Sequence, residues 1–252
     1  MWKRKIRKWH RYLGLVLGVQ FLFWTIGGIY FSWTNIDEIK GEHLINTPTA
    51  IPIDNSYISL DSTFKNLKET YKISDIESIH IIPLPDGWYY QFVYSKHQKR
   101  KAILCHTQTG VFKQGISEEE AIWVANQRLK NLSEILNIKK IEHPKDDIAY
   151  RKKPLPAYAI SYDSPSKTTV FVSIEFGTVQ TLRSSEWRIY DFFWMLHIMD
   201  FEGRSNFNNI LLRIFSILGL LTTLSGIFLY IITNRFYRKW NKNRRLHENT
   251  SR

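Results

Sequence analysis

Two long apolar stretches stand near the two ends of the chain. Residues 12–33 read YLGLVLGVQFLFWTIGGIYFSW without a formal charge, and residues 210–233 carry a single charge at Arg213. About 20 apolar residues are enough to cross the hydrocarbon core of a bilayer. The first stretch is longer than the apolar part of a signal peptide, and no small-x-small cleavage site follows it. The pattern therefore predicts two uncleaved transmembrane helices.

The residues between the two stretches show the pattern of a folded domain over positions 34–186. Residues 60–71 have a helical period, and residues 117–120 form a Ser-x-x-Glu capping box that opens a second helix. Short runs of β-branched and aromatic residues follow each helix. The pattern predicts an α+β domain with antiparallel pairing, built from two helix-plus-hairpin units at about 57–113 and 116–183. The predicted strands are 76–83, 88–94, 101–106, 111–112, 157–162, 168–175 and 178–182.

A segment rich in aromatic residues, 187–209, joins this domain to the second apolar stretch. Tyr190, Phe193, Trp194 and His197 fall at positions i, i+3, i+4 and i+7, so they share one face of a helix. Such a stripe suits a helix that lies in the membrane interface. It equally suits the wall of a porphyrin pocket, and both interpretations stay open.

The charge of the chain is concentrated at its ends. The net charge is +12, which taken alone suggests a nucleic acid or an anionic membrane as partner. Residues 1–11 hold six basic residues and no acidic one, and residues 234–252 hold seven basic residues and one acidic, whereas residues 34–209 hold 21 basic and 22 acidic. Basic flanks stay on the cytoplasmic side of a membrane. We therefore expect two cytoplasmic tails, an extracytoplasmic middle, the lipid bilayer as a partner and no nucleic acid.

Composition and motifs exclude several kinds of chemistry. The single cysteine, Cys105, excludes a disulfide framework within the chain and a cysteine-rich metal site. The sequence contains no G-x-S-x-G, no H-E-x-x-H, no P-loop and no dinucleotide fingerprint. No self-contained catalytic motif is present, and the sequence leaves open whether the protein is an enzyme.

Two of the eight histidines, His10 and His197, lie beside the predicted spans. A histidine whose second ring nitrogen is held by a neighbour is a good axial ligand for haem iron. Arg213 would either contact a haem propionate or extend to the lipid headgroups. His10 precedes the first predicted span and His197 precedes the second, so the two histidines are expected at opposite faces of the membrane. The 22 residues of the first span, at about 1.5 Å each, separate those faces by roughly 30 Å. One chain therefore cannot hold a single haem with both.

Several motifs resemble those of proteins that carry a PepSY domain and its associated transmembrane helices. SEEEAIWVANQRL at 117–129 and TTVFVSIEFGTVQTL at 168–182 are similar to a PepSY module. KWHRYLGL at 8–15, Leu-His at 196–197 and LSGIFLY at 224–230 resemble the membrane segments of the same family. Larger relatives have about four spans, and some look like haem-dependent ferric-siderophore reductases of the bacterial inner membrane.

The resemblance implies two alternative functions. In the first, the chain is a two-pass protein of the bacterial inner membrane that binds haem b at His10 and His197, with Arg213 beside it, and assists ferric-siderophore reduction or iron uptake. A homodimer or a partner membrane subunit would then complete the iron ligands. In the second, it is a non-enzymatic PepSY binding or regulatory module, or a structural subunit of an envelope complex.

Overall fold

The computed structural model describes residues 2–47, 50–52, 56–163 and 166–234. These residues form two compact units. One unit holds Thr34–Ile189, and the other combines Met1–Trp33 with Tyr190–Arg252. Most of the predicted C-terminal tail, 234–252, lies outside the described residues.

Three helices precede a first run of four strands, one helix separates it from a second run of four, and two helices follow. The helices are α1 (Trp2–Trp33), α2 (Ile36–Lys40), α3 (Leu60–Thr70), α4 (Glu118–Arg128), α5 (Ser185–Ile198) and α6 (Ile210–Thr233). The strands are β1 (Ser78–Leu84), β2 (Gly87–Lys96), β3 (Lys99–His106), β4 (Phe112–Lys113), β5 (Ile135–Ile141), β6 (Ala157–Tyr162), β7 (Thr169–Ser173) and β8 (Thr178–Arg183). Short 3-10 turns occupy Glu42–Leu44 and Ile148–Tyr150.

The first unit confirms the predicted α+β region with two antiparallel sheets. Each sheet has four strands in sequential order, β1-β2-β3-β4 and β5-β6-β7-β8, and every neighbouring pair is antiparallel. A helix precedes each sheet, α3 before the first and α4 before the second. The strand β5 was not predicted, because its isoleucines recur every third residue and a register shift between Ile135 and Asn137 breaks the alternation of a regular strand.

Helix α4 packs against both sheets. Its capping box is formed as predicted, since the Ser117 hydroxyl accepts from the Glu120 amide and the Glu120 carboxylate accepts from the Ser117 amide. Ala121 and Ala125 are fully buried in one apolar cluster with residues of both sheets, such as Leu104 of β3. Small side chains at these positions let the helix approach the strands closely, so α4 links the two sheets into one core.

A different element packs against the remaining face of each sheet. Helix α3, capped by the Ser59 side chain, places Leu67 against Phe92 and Cys105 of the first sheet. The second sheet is covered by the segment after β5, where Tyr150 stacks on Phe171 with ring centroids 5.0 Å apart. Both sheets are therefore shielded on their two faces.

The second unit contains two helices long and apolar enough to cross a membrane, α1 and α6. Helix α1 begins at Trp2, so the basic residues of the predicted tail 1–11 lie in the same helix as the apolar stretch. Asn209 caps the start of α6 by accepting from the Leu212 amide. Most apolar side chains of the two helices are exposed, and Leu17 is one of the few that the chain itself buries.

Candidate functional site

Helices α1 and α6 lie antiparallel, and small residues of α6 bring them together. A Cβ atom added at Gly219 would lie 3.1 Å from Phe21, and one added at Gly226 would lie 3.1 Å from Cε1 of His10. At Gly14 and Gly18, which form the GxxxG pattern of α1, an added Cβ would meet nothing within 4 Å. The glycines that face the partner helix are therefore those of α6.

His10 has a defined hydrogen-bond partner on α6. Its Nδ1 lies 2.7 Å from the Ser225 hydroxyl, and that hydroxyl donates its only hydrogen to the Thr222 carbonyl at 2.8 Å. Ser225 can therefore only accept from the ring, so a neutral His10 carries its proton on Nδ1. The lone pair on Nε2 is then free to bind a metal, which is the arrangement usual for metal-bound histidines.

His197 lies at the end of α5 among aromatic side chains. Its ring is nearly parallel to that of Trp194, with centroids 6.4 Å apart and planes at 13°. The rings of Trp24 and Phe31 lie 5.9 Å and 6.0 Å away, and the Trp24 indole donates to the His197 carbonyl at 3.0 Å. The imidazole is exposed, and its nitrogens form no hydrogen bond within the described part of the chain. A cavity of about 380 Å³ opens beside it, lined by Trp24, Trp194, His197, Ile198, Phe207 and Leu212.

The aromatic stripe of α5 packs on α1. Tyr190 lies 4.8 Å from Phe31, and Phe193 lies 5.3 Å from Tyr30, measured between ring centroids. The helix ends at Ile198, so the predicted segment 187–209 is a helix followed by a turn. Exposed apolar residues occupy another part of the α5 surface, where Ile189 and Phe192 are about half exposed at 50% and 48%.

The turn after α5 is built by polar residues. The Asp200 carboxylate accepts from the amides of Gly203, Ser205 and Asn206 at 2.8 to 3.0 Å. Burial acts to raise the pKa of Asp200, but these hydrogen bonds together lower it below its ordinary value. Arg204 of the same turn pairs with Asp191 of α5 at 2.5 Å, and Asp191 is buried. Sequence patterns did not single out Asp191, because an acidic residue within an aromatic helix has no partner visible from spacing alone.

Arg213 lies one turn inside α6 with an exposed side chain. Its guanidinium forms no hydrogen bond, ion pair or ring contact with His10 or His197 in the described part of the chain. The three predicted site residues therefore occupy three separate places in the helical unit.

The two histidines lie at different levels of the helix pair. His10 contacts α6 near Gly226, whereas His197 contacts α1 at Trp24, which is 14 residues further along than His10. At about 1.5 Å rise per residue this is roughly 21 Å. No group of three His, Cys, Asp or Glu residues could hold a metal ion within the described residues. Each level therefore offers one histidine ring to a ligand.

A second cavity lies in the α+β unit, between its two sheets. Its volume is about 320 Å³, and it is mostly apolar, with Ile81, Trp88, Trp123 and Val179 in its wall and Arg128 among its polar residues. The strands β1 and β8, which both line it, are edge strands of their sheets. This groove could not be found from the sequence because its wall comes from helix α4 and from strands of both sheets.

No model of a known protein family, no curated protein and no solved structure matches the chain.

Proposed function

We propose that this protein is a two-pass membrane protein of the bacterial inner membrane with a PepSY-like domain on the extracytoplasmic side. The length and apolar character of α1 and α6 support the two spans. The six basic residues at the start of α1 and the seven after residue 233 support two cytoplasmic ends. Residues 34–209, with nearly balanced charge, then lie outside.

The helix pair of this protein binds haem b and serves as an electron-transfer component for ferric-siderophore reduction or iron uptake. The hydrogen-bond chain from His10 through Ser225 to the Thr222 carbonyl carries this proposal, because it fixes the tautomer that leaves Nε2 free for iron. Gly226 leaves room for the ring. His197, which lines the aromatic cavity, supplies an iron ligand at the other level of the helix pair. A bound haem would supply one-electron transfer, His10 and His197 would hold it, and a second copy or a partner subunit would complete the iron ligands.

Haem content of purified variants tests this proposal. His10→Ala and His197→Ala should each lower the Soret absorbance per protein, whereas His143→Ala, which removes an exposed loop histidine, should leave it unchanged. Ser225→Ala should weaken haem binding by roughly 10- to 100-fold, since it removes the group that orients His10. Equal haem content in His10→Ala, His197→Ala and His143→Ala would contradict the proposal.

A second candidate function is a non-enzymatic binding or regulatory module, or a structural subunit of an envelope complex. The groove between β1, α4 and β8 favours it, since an apolar cavity beside two open strand edges suits an extended polypeptide. This function requires no cofactor, so the purified protein would be colourless. Trp123→Ala would then weaken capture of a protein partner, while His10→Ala would leave capture intact.

A further inference from the structure

We propose that a basic cluster around Trp187 binds the headgroups of anionic phospholipids in the membrane leaflet that faces the α+β domain. This inference rests on the two spans of the proposed function and is independent of haem. The cluster is defined by the two arginines over the indole, the two lysines that follow Arg151 in the chain, Arg188 of α5 and Lys167, whose carbonyl holds Arg188. Its members are Arg151, Lys152, Lys153, Lys167, Arg183 and Arg188.

Two guanidinium groups lie over the same indole. The Cζ atom of Arg183 is 4.2 Å from the Trp187 ring centroid, and that of Arg151 is 5.5 Å away. The Arg183 side chain also donates to the carbonyls of Ala149 and Leu182. These contacts hold the Arg183 cation in place, so little conformational freedom is lost when an anion binds.

The other cations extend this positive surface. Lys152, Lys153 and Lys167 are exposed, and none of them pairs with a carboxylate in the described part of the chain. Arg188 is held by the Lys167 carbonyl at 3.2 Å and the Thr169 hydroxyl at 3.0 Å. Of the acidic residues of α5, Glu186 is the nearest to Trp187 in the sequence. Residues 147–153 and 183–189 together hold five basic and two acidic residues.

The position of the cluster in the chain favours a lipid headgroup over a soluble anion as its ligand. Trp187 and Arg188 belong to the first turn of α5, and the helical unit begins at Tyr190 of the same helix. Exposed apolar side chains accompany the cations, since Ile148 is 40% and Ile189 is 50% exposed. Tryptophan, arginine and apolar residues together are typical of the membrane interface, and each basic residue near an anionic surface strengthens attraction about fivefold.

A fluorophore placed inside the cluster can test the proposal on the full chain. Ile148→Cys provides an exposed label site that leaves every cation in place, and Cys105 is buried and will not compete for the label. The labelled protein is placed in nanodiscs of phosphatidylcholine, with or without phosphatidylglycerol, in which some headgroups carry a nitroxide quencher. We expect stronger quenching in the discs that contain phosphatidylglycerol.

Matched variants identify the cause of that quenching. Lys152→Gln, Lys153→Gln and Arg188→Gln together should weaken the lipid association roughly a hundredfold and abolish the difference between the two discs. Removing three exposed cations elsewhere, with Lys65→Gln, Lys68→Gln and Lys130→Gln, should preserve it. A label at Lys65→Cys, on α3, should show no lipid preference.

Three outcomes would overturn the inference. Equal quenching in both discs by an inserted protein would contradict lipid binding and leave the two spans standing. Loss of the difference on adding millimolar inorganic phosphate would show that the cluster takes a soluble anion. Failure of the chain to enter the discs at all would contradict the spans and the inference together.

Discussion

At the scale of single residues, His10 and its neighbours on α6 are the most informative part of the molecule. The ring lies against Gly226, and its proton position follows from two hydrogen bonds made by Ser225. A histidine held in this way has lost its freedom to rotate and keeps one nitrogen for a ligand. The effect of this contact on the stability of the helix pair can be measured.

Gly226→Ala should destabilise the helix pair, because the added Cβ would lie 3.1 Å from the His10 ring. Overpacking of this kind typically costs about 1–3 kcal/mol. Gly14→Ala is the matched control, since nothing lies within 4 Å of its added Cβ and alanine is the better helix former. Thermal unfolding in detergent should show a lower midpoint for Gly226→Ala alone, and equal midpoints would argue against this packing of α1 on α6.

Cys105 should be unreactive in the folded protein. It is fully buried, and burial raises the pKa of its thiol from 9.0 to about 11. Between pH 9 and 11 the thiol ionises in the unfolded chain but stays neutral in the folded protein. The free energy of unfolding is therefore unaffected below pH 9 and falls as the pH rises from 9 towards 11. Iodoacetamide at neutral pH should modify Cys105 only after denaturant is added. Rapid modification of the native protein would show that the β3 face is open.

The candidate histidines and Arg213 could be chosen from the sequence, because each stands beside or inside an apolar run. Ser225 and Gly226 stand out in the sequence only as part of the LSGIFLY motif, and their contact with His10 could not be predicted. The contact joins residues 215 positions apart, and it depends on the register of two helices. Spacing along one helix carries no information about that register.

At the scale of elements, the helices of the α+β unit show how local signals become tertiary structure. The capping box at Ser117 fixes the start of α4, and the buried alanines of that helix let it pack against two sheets. Most of the predicted strands are confirmed within a few residues, because their apolar runs end at clear turns. The strand β5 could not be predicted, since a bulge disrupts its pattern.

Ser117→Ala should weaken the α+β unit by about 1 kcal/mol, the usual effect of losing a helix cap. The Glu120 amide would lose its side-chain acceptor, and α4 would fray at the end that packs between the sheets. Ser62→Ala is a suitable control, because that hydroxyl only donates to a carbonyl within the exposed first turn of α3. Chemical denaturation followed by circular dichroism measures both, and equal midpoints would contradict the importance of this cap.

At the scale of the whole molecule, the distribution of charge sets the expected orientation. A net charge of +12 belongs almost entirely to the two ends, while residues 34–209 are close to neutral. The two long apolar helices could be predicted from the hydrophobic pattern of the sequence. Their expected orientation in a membrane rests on the distribution of charge and stays a prediction.

Reporter fusions should place both ends of the chain in the cytoplasm. A fusion at Arg252 to a reporter active only in the cytoplasm should be active, and the same reporter inserted after Lys145, in an exposed loop, should be inactive. The physical reason is the retention of basic flanks on the cytoplasmic side. Activity at Lys145 combined with inactivity at Arg252 would reverse the orientation.

The absorption spectrum of the full-length protein, purified in detergent from haem-replete cells, tests the central claim most directly. If His10 and His197 are iron ligands, the preparation should show a Soret band whose intensity follows the protein through gel filtration. A fully folded preparation without a Soret band would contradict haem binding and would leave the binding-module function in its place.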